Sequence, residues 1–148
     1  MSTRSASKLK TKKSVALSGV AAGNTALCTV GVTGNDLHYR GYDILDFADK
    51  ATFEEIAYLL VHEKLPTRAE LDTYYKKLKR LRQIPDQLKK VLECVPGSAH
   101  PMDVLRTGCS MLGTLYPEED DHNSAGARDI ADRLMASFGS MLLYWYHY

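Results

Sequence analysis

A mostly α-helical domain with a small β-hairpin near its N-terminal end is the fold class this sequence predicts, and three observations predict it. Two Thr-x-x-Glu capping boxes, Thr52-Phe53-Glu54-Glu55 and Thr67-Arg68-Ala69-Glu70, each open a run of apolar residues recurring at steps of three and four. A further apolar stripe, Ile130, Leu134, Phe138, Met141 or Leu142, and Trp145, repeats at helical spacing near the C-terminal end. Upstream of residue 45 the pattern changes. Two short runs of β-branched and apolar residues flank Thr33-Gly34-Asn35-Asp36, a set that tolerates positive φ and self-capping turns.

Taken in order, the hairpin is expected from Thr25 to Val32 and from Leu37 to Arg40, with Gly41 ending the ribbon and Tyr42-Asp43-Ile44 leading into helix. In each capping box the Thr hydroxyl and the Glu carboxylate satisfy N–H groups that the first turn leaves unpaired. The first helix carries Phe53, Ile56, Ala57, Leu59 and Leu60 on its apolar face, and the second Leu71, Tyr74, Tyr75, Leu78 and Leu81. Lys64 to Pro66 is then a tight corner between them. A third, shorter helix is expected from about Asp86 to Cys94, closed by Pro96-Gly97. Pro101 stands at a first helical position, so Val104, Leu105, Cys109 and Leu112 read as a fourth helix ending near Tyr116-Pro117. The acidic stretch Glu118 to Asp121 links it to the last and longest helix, with Asn123-Ser124 as the N-terminal cap. There is no internal repeat.

Composition bounds the partners. With 148 residues, 45% hydrophobic and 25% charged, the chain can bury one sizeable core. Nineteen Lys and Arg against 18 Asp and Glu leave a net charge of +1, so no overall field argues for nucleic acid or a membrane surface. No acid precedes Asp36, while Arg4, Lys8, Lys10, Lys12 and Lys13 alternate with Ser and Thr, and residues 1–11 read as a flexible basic arm. A mitochondrial transit peptide shares the Ser-rich, acid-poor composition, but this segment lacks an apolar helical face and favours Lys. No apolar run approaches the roughly 20 residues of a membrane span. Three scattered cysteines, Cys28, Cys94 and Cys109, suit a reducing compartment rather than a disulfide scaffold or zinc site. The location expected is cytoplasmic.

Candidate chemistry is sparse. Lys76, Lys77, Lys79, Arg80, Arg82, Lys89 and Lys90 form a cationic run that could draw the phosphates of coenzyme A or a nucleic-acid backbone. No aromatic residues are interleaved as stacking platforms, and the run reads first as a solvated helix face. His38, His62, His100, His122 and His147 show no His-x-x-x-His spacing, and none stands beside a carboxylate in a recognisable dyad. His122 with Asp120 and Asp121 reads as a solvated acidic loop rather than a metal site. No catalytic residue and no metal or cofactor ligand is expected in this chain.

Several ordered motifs carry a resemblance. Tyr39-Arg40-Gly41-Tyr42-Asp43-Ile44, Phe53 to Leu60, Leu65-Pro66-Thr67 and His100-Pro101-Met102-Asp103 resemble the opening third of the citrate synthase family. Lys12 to Gly19, Gly23 to Val30 and Leu143 to Tyr148 are similar to its bacterial 2-methylcitrate synthase branch, and the likeness covers about residues 12–148. The resemblance implies an N-terminal, incomplete portion of a citrate-synthase-like helical domain. The enzymes it resembles condense an acyl-coenzyme A, propionyl or acetyl, with oxaloacetate, using Asp and His residues in later Gly- and His-rich motifs that this sequence lacks. The resemblance therefore implies no permanently bound cofactor, acyl-coenzyme A as substrate, a homodimer formed through helical surfaces, and no activity in the 148-residue chain alone.

The chain's end points the same way, because it stops inside Tyr144-Trp145-Tyr146-His147-Tyr148 without a helix stop signal and with four aromatics to cover. By resemblance Arg68 is the expected contact for a substrate carboxylate, which its planar fork suits. Arg40 is a second candidate and also reads as a packing or salt-bridge residue. The rival expectation is a stand-alone helical interaction module with no chemistry, docking through the aromatic end and the Lys-rich face. A remnant that folds poorly is a third.

Overall fold

The computed structural model describes residues 23–31, 36–118 and 124–148. The basic arm, most of the Thr33–Asp36 turn, the His122 loop and the Asn123 cap lie outside the described residues.

The ribbon is a three-stranded antiparallel sheet in the order β1 (Cys28–Val30), β2 (Leu37–Tyr39), β3 (Tyr42–Asp43). Cys28 faces Tyr39 and Val30 faces Leu37 in the first pairing, and Tyr39 faces Tyr42 in the second. Gly41 thus does not end the ribbon. Arg40 and Gly41, at φ 51° and 88°, make a two-residue turn of the kind whose twist matches paired strands, and the chain folds back as β3. The turn was not expected because a left-handed Arg is uncommon. Here the guanidinium is held from outside the turn, its Nη2 donating to the Leu60 carbonyl at 2.9 Å. A 3-10 turn, Ile44–Asp46, follows, started by the Asp43 carboxylate accepting from the Leu45 N–H at 3.0 Å.

Five helices complete the chain: α1 (Phe53–His62), α2 (Arg68–Leu81), α3 (Asp86–Glu93), α4 (Pro101–Leu115) and α5 (Ser124–His147). Both capping boxes form. The Thr52 N–H donates to Glu55 Oε2 at 2.7 Å and the Glu55 N–H to Thr52 Oγ1 at 3.3 Å, and Thr67 and Glu70 repeat the exchange at 2.8 and 3.3 Å. Lys64 Nζ reaches Glu70 at 2.6 Å; this bond first, and then those from Thr67, holds the Glu70 carboxyl down at about 2. The α1–α2 corner is thereby tied at both sides of Pro66. Helix α1 ends at Glu63, a left-handed residue at φ 70°. Helix α4 starts with His100, whose Nδ1 accepts from the Met102 N–H at 3.2 Å, before Pro101.

Two apolar clusters share one long helix. Leu88 and Leu92 of α3, Val104 and Leu112 of α4 and Met141 of α5 form the first, with Leu134, Phe138 and Trp145 packed against it. Ala57 and Tyr58 of α1 with Tyr74 and Leu78 of α2 form the second, on which Met135 and Ala136 of α5 pack. Helix α5 therefore presents one face to each cluster. Its stripe follows the expected spacing, and Met141, rather than Leu142, is the fully buried member. Phe53, expected on the apolar face of α1, is exposed. The aromatic end is divided: the Tyr144 hydroxyl donates to Glu93 at 2.6 Å and Trp145 Nε1 to the Val95 carbonyl at 3.2 Å, while Tyr146 and Tyr148 face outward. Cys28, Cys94 and Cys109 are free. Among the described residues no helix is long and apolar enough to cross a membrane.

Candidate functional site

Asp132, in α5, is wholly buried at the junction of α1, α2 and α5. Its position follows from the second face of that helix: Asp132 lies four residues before Ala136, so it turns toward the α1–α2 cluster rather than to solvent. A buried carboxylate needs donors. Helix α2 supplies them at i and i+3, the Tyr74 hydroxyl donating to Oδ1 at 2.6 Å and Lys77 Nζ to Oδ2 at 2.6 Å. Lys77 also reaches Asp129 Oδ1 at 2.7 Å, one turn earlier on α5.

The groups titrate as this arrangement dictates. Burial works against the charge on Lys77, but the hydrogen bonds to Asp129 and Asp132 prevail and raise its pKa. Lys77 in turn lowers that of Asp129. Burial, and then the hydrogen bond to Asp132, pushes the Tyr74 phenol far up. His62, at the end of α1, stacks on Tyr58 with ring centroids 4.2 Å apart and takes the edge of Tyr74 at 5.5 Å. Its Nε2 lies 3.8 Å from Asp132 Oδ2, too far for a hydrogen bond, and is buried without a partner. Burial lowers the His62 pKa more than Asp132 raises it, because Lys77 has already met that carboxylate. The imidazole is thereby harder to protonate than a free one.

An open cavity of about 350 Å³ adjoins the cluster, lined by Tyr58, His62, Ala69, Glu70, Thr73 and Tyr74. Each oxygen of the carboxylate inside accepts one short bond, and the imidazole Nε2 is buried. What this arrangement does is fix three helices on one another.

Arg68, the expected substrate contact, begins α2 next to Ala69 and Glu70 of that cavity wall. Its side chain is 87% exposed, with Nε 3.6 Å from Asp72 Oδ1. Arg40 is largely buried and serves the end of α1, donating to Leu60 and standing 3.5 Å from Glu63. Arg128 joins from α5, its Nε donating to the Val61 carbonyl at 3.1 Å. The cationic run disperses: Arg82 stands 3.6 Å from Glu54, Lys89 2.8 Å from Asp86, and Lys76, Lys79 and Lys90 are exposed. His38 Nδ1 lies 2.7 Å from Asp36 and His62 near Asp132, so two histidines do stand beside carboxylates, contrary to the sequence reading. Cys109 is partly buried, which raises its thiol pKa. Sequence reasoning missed the Tyr74–Lys77–Asp132 cluster. The available signal was an Asp between Ile130 and Leu134 of the apolar stripe, in register with Ala136 on the other inward face.

The geometry has relatives. A family model described as citrate synthase, C-terminal domain, matches residues 16–148. The 2-methylcitrate synthase of Shewanella oneidensis is 55% identical over 132 residues, which cover 89% of this chain and 34% of that protein. The 2-methylcitrate synthase of Mycobacterium tuberculosis strain H37Rv is 40% identical over 120 residues, 81% of this chain and 30% of its own length. Among solved structures, citrate synthase from Thermotoga maritima matches with a TM-score of 0.74 and 32% identity, over 89% of this chain and 34% of that one. The chain spans about a third of the length of the relatives it matches. On the extent of the family match and the agreement of helical architecture, this chain belongs to the citrate synthase family.

Proposed function

We propose that this chain is the N-terminal segment of an acyltransferase that condenses propionyl-coenzyme A, or acetyl-coenzyme A, with oxaloacetate and water to give 2-methylcitrate, or citrate, and free coenzyme A. The observation that carries this reading is the 55% identity with a 2-methylcitrate synthase across nearly the whole chain. On this reading the described residues supply scaffold, the acid–base chemistry belongs to residues outside this sequence, and the 148-residue chain alone is inactive. The complete enzyme is read as a cytoplasmic homodimer, a compartment that the unpaired cysteines suit and an assembly that the outward Leu143, Tyr146 and Tyr148 suit.

Arg68 is proposed to meet a substrate carboxylate. In support, its ion pair with Asp72, the one it makes among the described residues, is 3.6 Å long and solvent-exposed, so the guanidinium can leave it at little cost. The same outward aromatics also favour a second reading, an interaction module without chemistry.

One assay separates the two. The polypeptide carrying this sequence in its source cell, captured with an antibody against residues 1–148, is incubated with oxaloacetate and each thioester, and released thiol is measured. The expected result is a species much larger than 16.5 kDa that releases thiol, while the purified 148-residue chain releases none above a denatured control. A large species without thiol release, or release by the short chain, overturns the proposal. In the active species Arg68→Gln is expected to raise KM for oxaloacetate about tenfold with kcat little changed.

A further inference from the structure

Asp132 Oδ2 is approached from two helices. Lys77 Nζ of α2 bonds to it at 2.6 Å, and His62 Nε2 of α1 stands 3.8 Å from the same oxygen. Lys77 has a second acceptor, Asp129 Oδ1 at 2.7 Å, whereas His62 Nε2 is buried with no hydrogen-bond partner among the described residues. The charges are unbalanced, because two carboxylates share a single ammonium and the trio stays net negative until His62 takes up a proton. The other charged groups around the imidazole have contacts of their own. Arg128 of α5 donates to the Val61 carbonyl and stands 3.8 Å from Glu63, Arg40 of the strand turn stands 3.5 Å from Glu63, and Glu70 of α2 is bound by Lys64. Tyr58 lies under the ring, and Tyr74 meets it edge-on with its hydroxyl on Asp132 Oδ1.

We propose that His62 is a proton-operated switch of partners at the α1–α2–α5 junction: once protonated, its Nε2–H takes Asp132 Oδ2, and Lys77 withdraws to Asp129. The proton comes from solvent, and otherwise only hydrogen bonds are exchanged. The gap to close is about 1 Å, from 3.8 Å to the roughly 2.8 Å of a charge-assisted N–H···O bond, which a tilt of the ring on Tyr58 supplies. Each carboxylate then holds one cation, and Tyr74 keeps Oδ1 throughout. The charged tie to the buried carboxylate thus runs from α2 before protonation and from α1 after it. Because His62, Tyr74 and Lys77 also line the 350 Å³ cavity, the exchange reshapes its wall. Burial opposes the proton, which puts the exchange on the acid side of the ordinary imidazole range. The switch is made of the chain's own side chains and does not depend on the activity proposed above.

The test is an NMR titration of the full-length protein, labelled with ring-nitrogen-15 histidine and Cε-carbon-13 lysine, from about pH 8 down to about pH 5. The His62 and Lys77 signals are identified by their loss in His62→Gln and Lys77→Gln. The expected result is that both residues titrate with one midpoint and that, below it, the His62 Nε2 proton exchanges slowly with solvent because Asp132 holds it. In Asp132→Asn the His62 midpoint should fall further and the slow proton should disappear. In Lys77→Gln, which removes both the competitor for Oδ2 and a nearby positive charge, the midpoint should rise by about one pH unit. A rapidly exchanging Nε2 proton below the midpoint, or a midpoint that Lys77→Gln leaves in place, overturns the proposal. Should the variants at 77 and 132 fail to fold, the unmodified protein decides: a shared His62 and Lys77 midpoint with a slow Nε2 proton supports the switch, and a Lys77 signal that stays still while His62 titrates rejects it.

Discussion

Asp132 is the wholly buried acceptor through which α2 is bonded to α5. Removing it leaves the buried Tyr74 hydroxyl without its acceptor and Lys77 with Asp129 alone, so Asp132→Ala is expected to cost about 3 kcal/mol, read from urea unfolding. Tyr74→Phe leaves the Lys77 bond in place and should cost about 1–2 kcal/mol. The double variant should be less harmful than the sum, since both changes remove the same bond. His62 sets the acid side. Its folded pKa lies below the ordinary 6.5, so between the two values the unfolded chain binds the proton first. The stability it contributes is complete above about pH 6.5 and declines as pH falls through the lowered folded value. Comparing urea midpoints at pH 8 and pH 5 should show a loss that His62→Gln reduces. Glu70 and Asp129, whose values are also lowered, act in a more acidic window, below about pH 4.5.

At the scale of elements, the approach of α4 to α5 depends on one glycine. A Cβ built on buried Gly108 would meet Met141 Sδ at 2.5 Å, and Met141 is itself fully buried. Gly108→Ala should therefore destabilise by about 1–3 kcal/mol despite alanine's better helix propensity, and Met141→Leu should not relieve all of it. Thermal unfolding of the single and double variants checks this. What was legible in the sequence follows range. The capping boxes could be read directly, because donors and acceptors lie within three residues of each other. The carboxylate cluster could not, because Tyr74 and Lys77 find Asp132 across 58 and 55 residues, a pairing set by how three helices cross. The third strand was lost for another reason: Arg40 adopts a backbone conformation that residue preferences disfavour, and only a contact 20 residues away holds it there.

For the molecule as a whole, helical class and family were legible from repeating patterns and motif order. Leu143, Tyr146 and Tyr148, 62–76% exposed, lie close together along the end of α5 and just past it, and would be costly to leave in water. Self-association at micromolar concentration is expected, and Leu143→Ser/Tyr146→Ser should shift the sedimentation profile toward monomer without altering the circular dichroism. The ribbon is bound into this body through Arg40, whose guanidinium spans from a strand turn to the Leu60 carbonyl near the end of α1. Backbone protons of β2, of β3 and of the last turn of α1 should accordingly exchange with deuterium in step, opening as one cooperative unit that Arg40→Met splits in two.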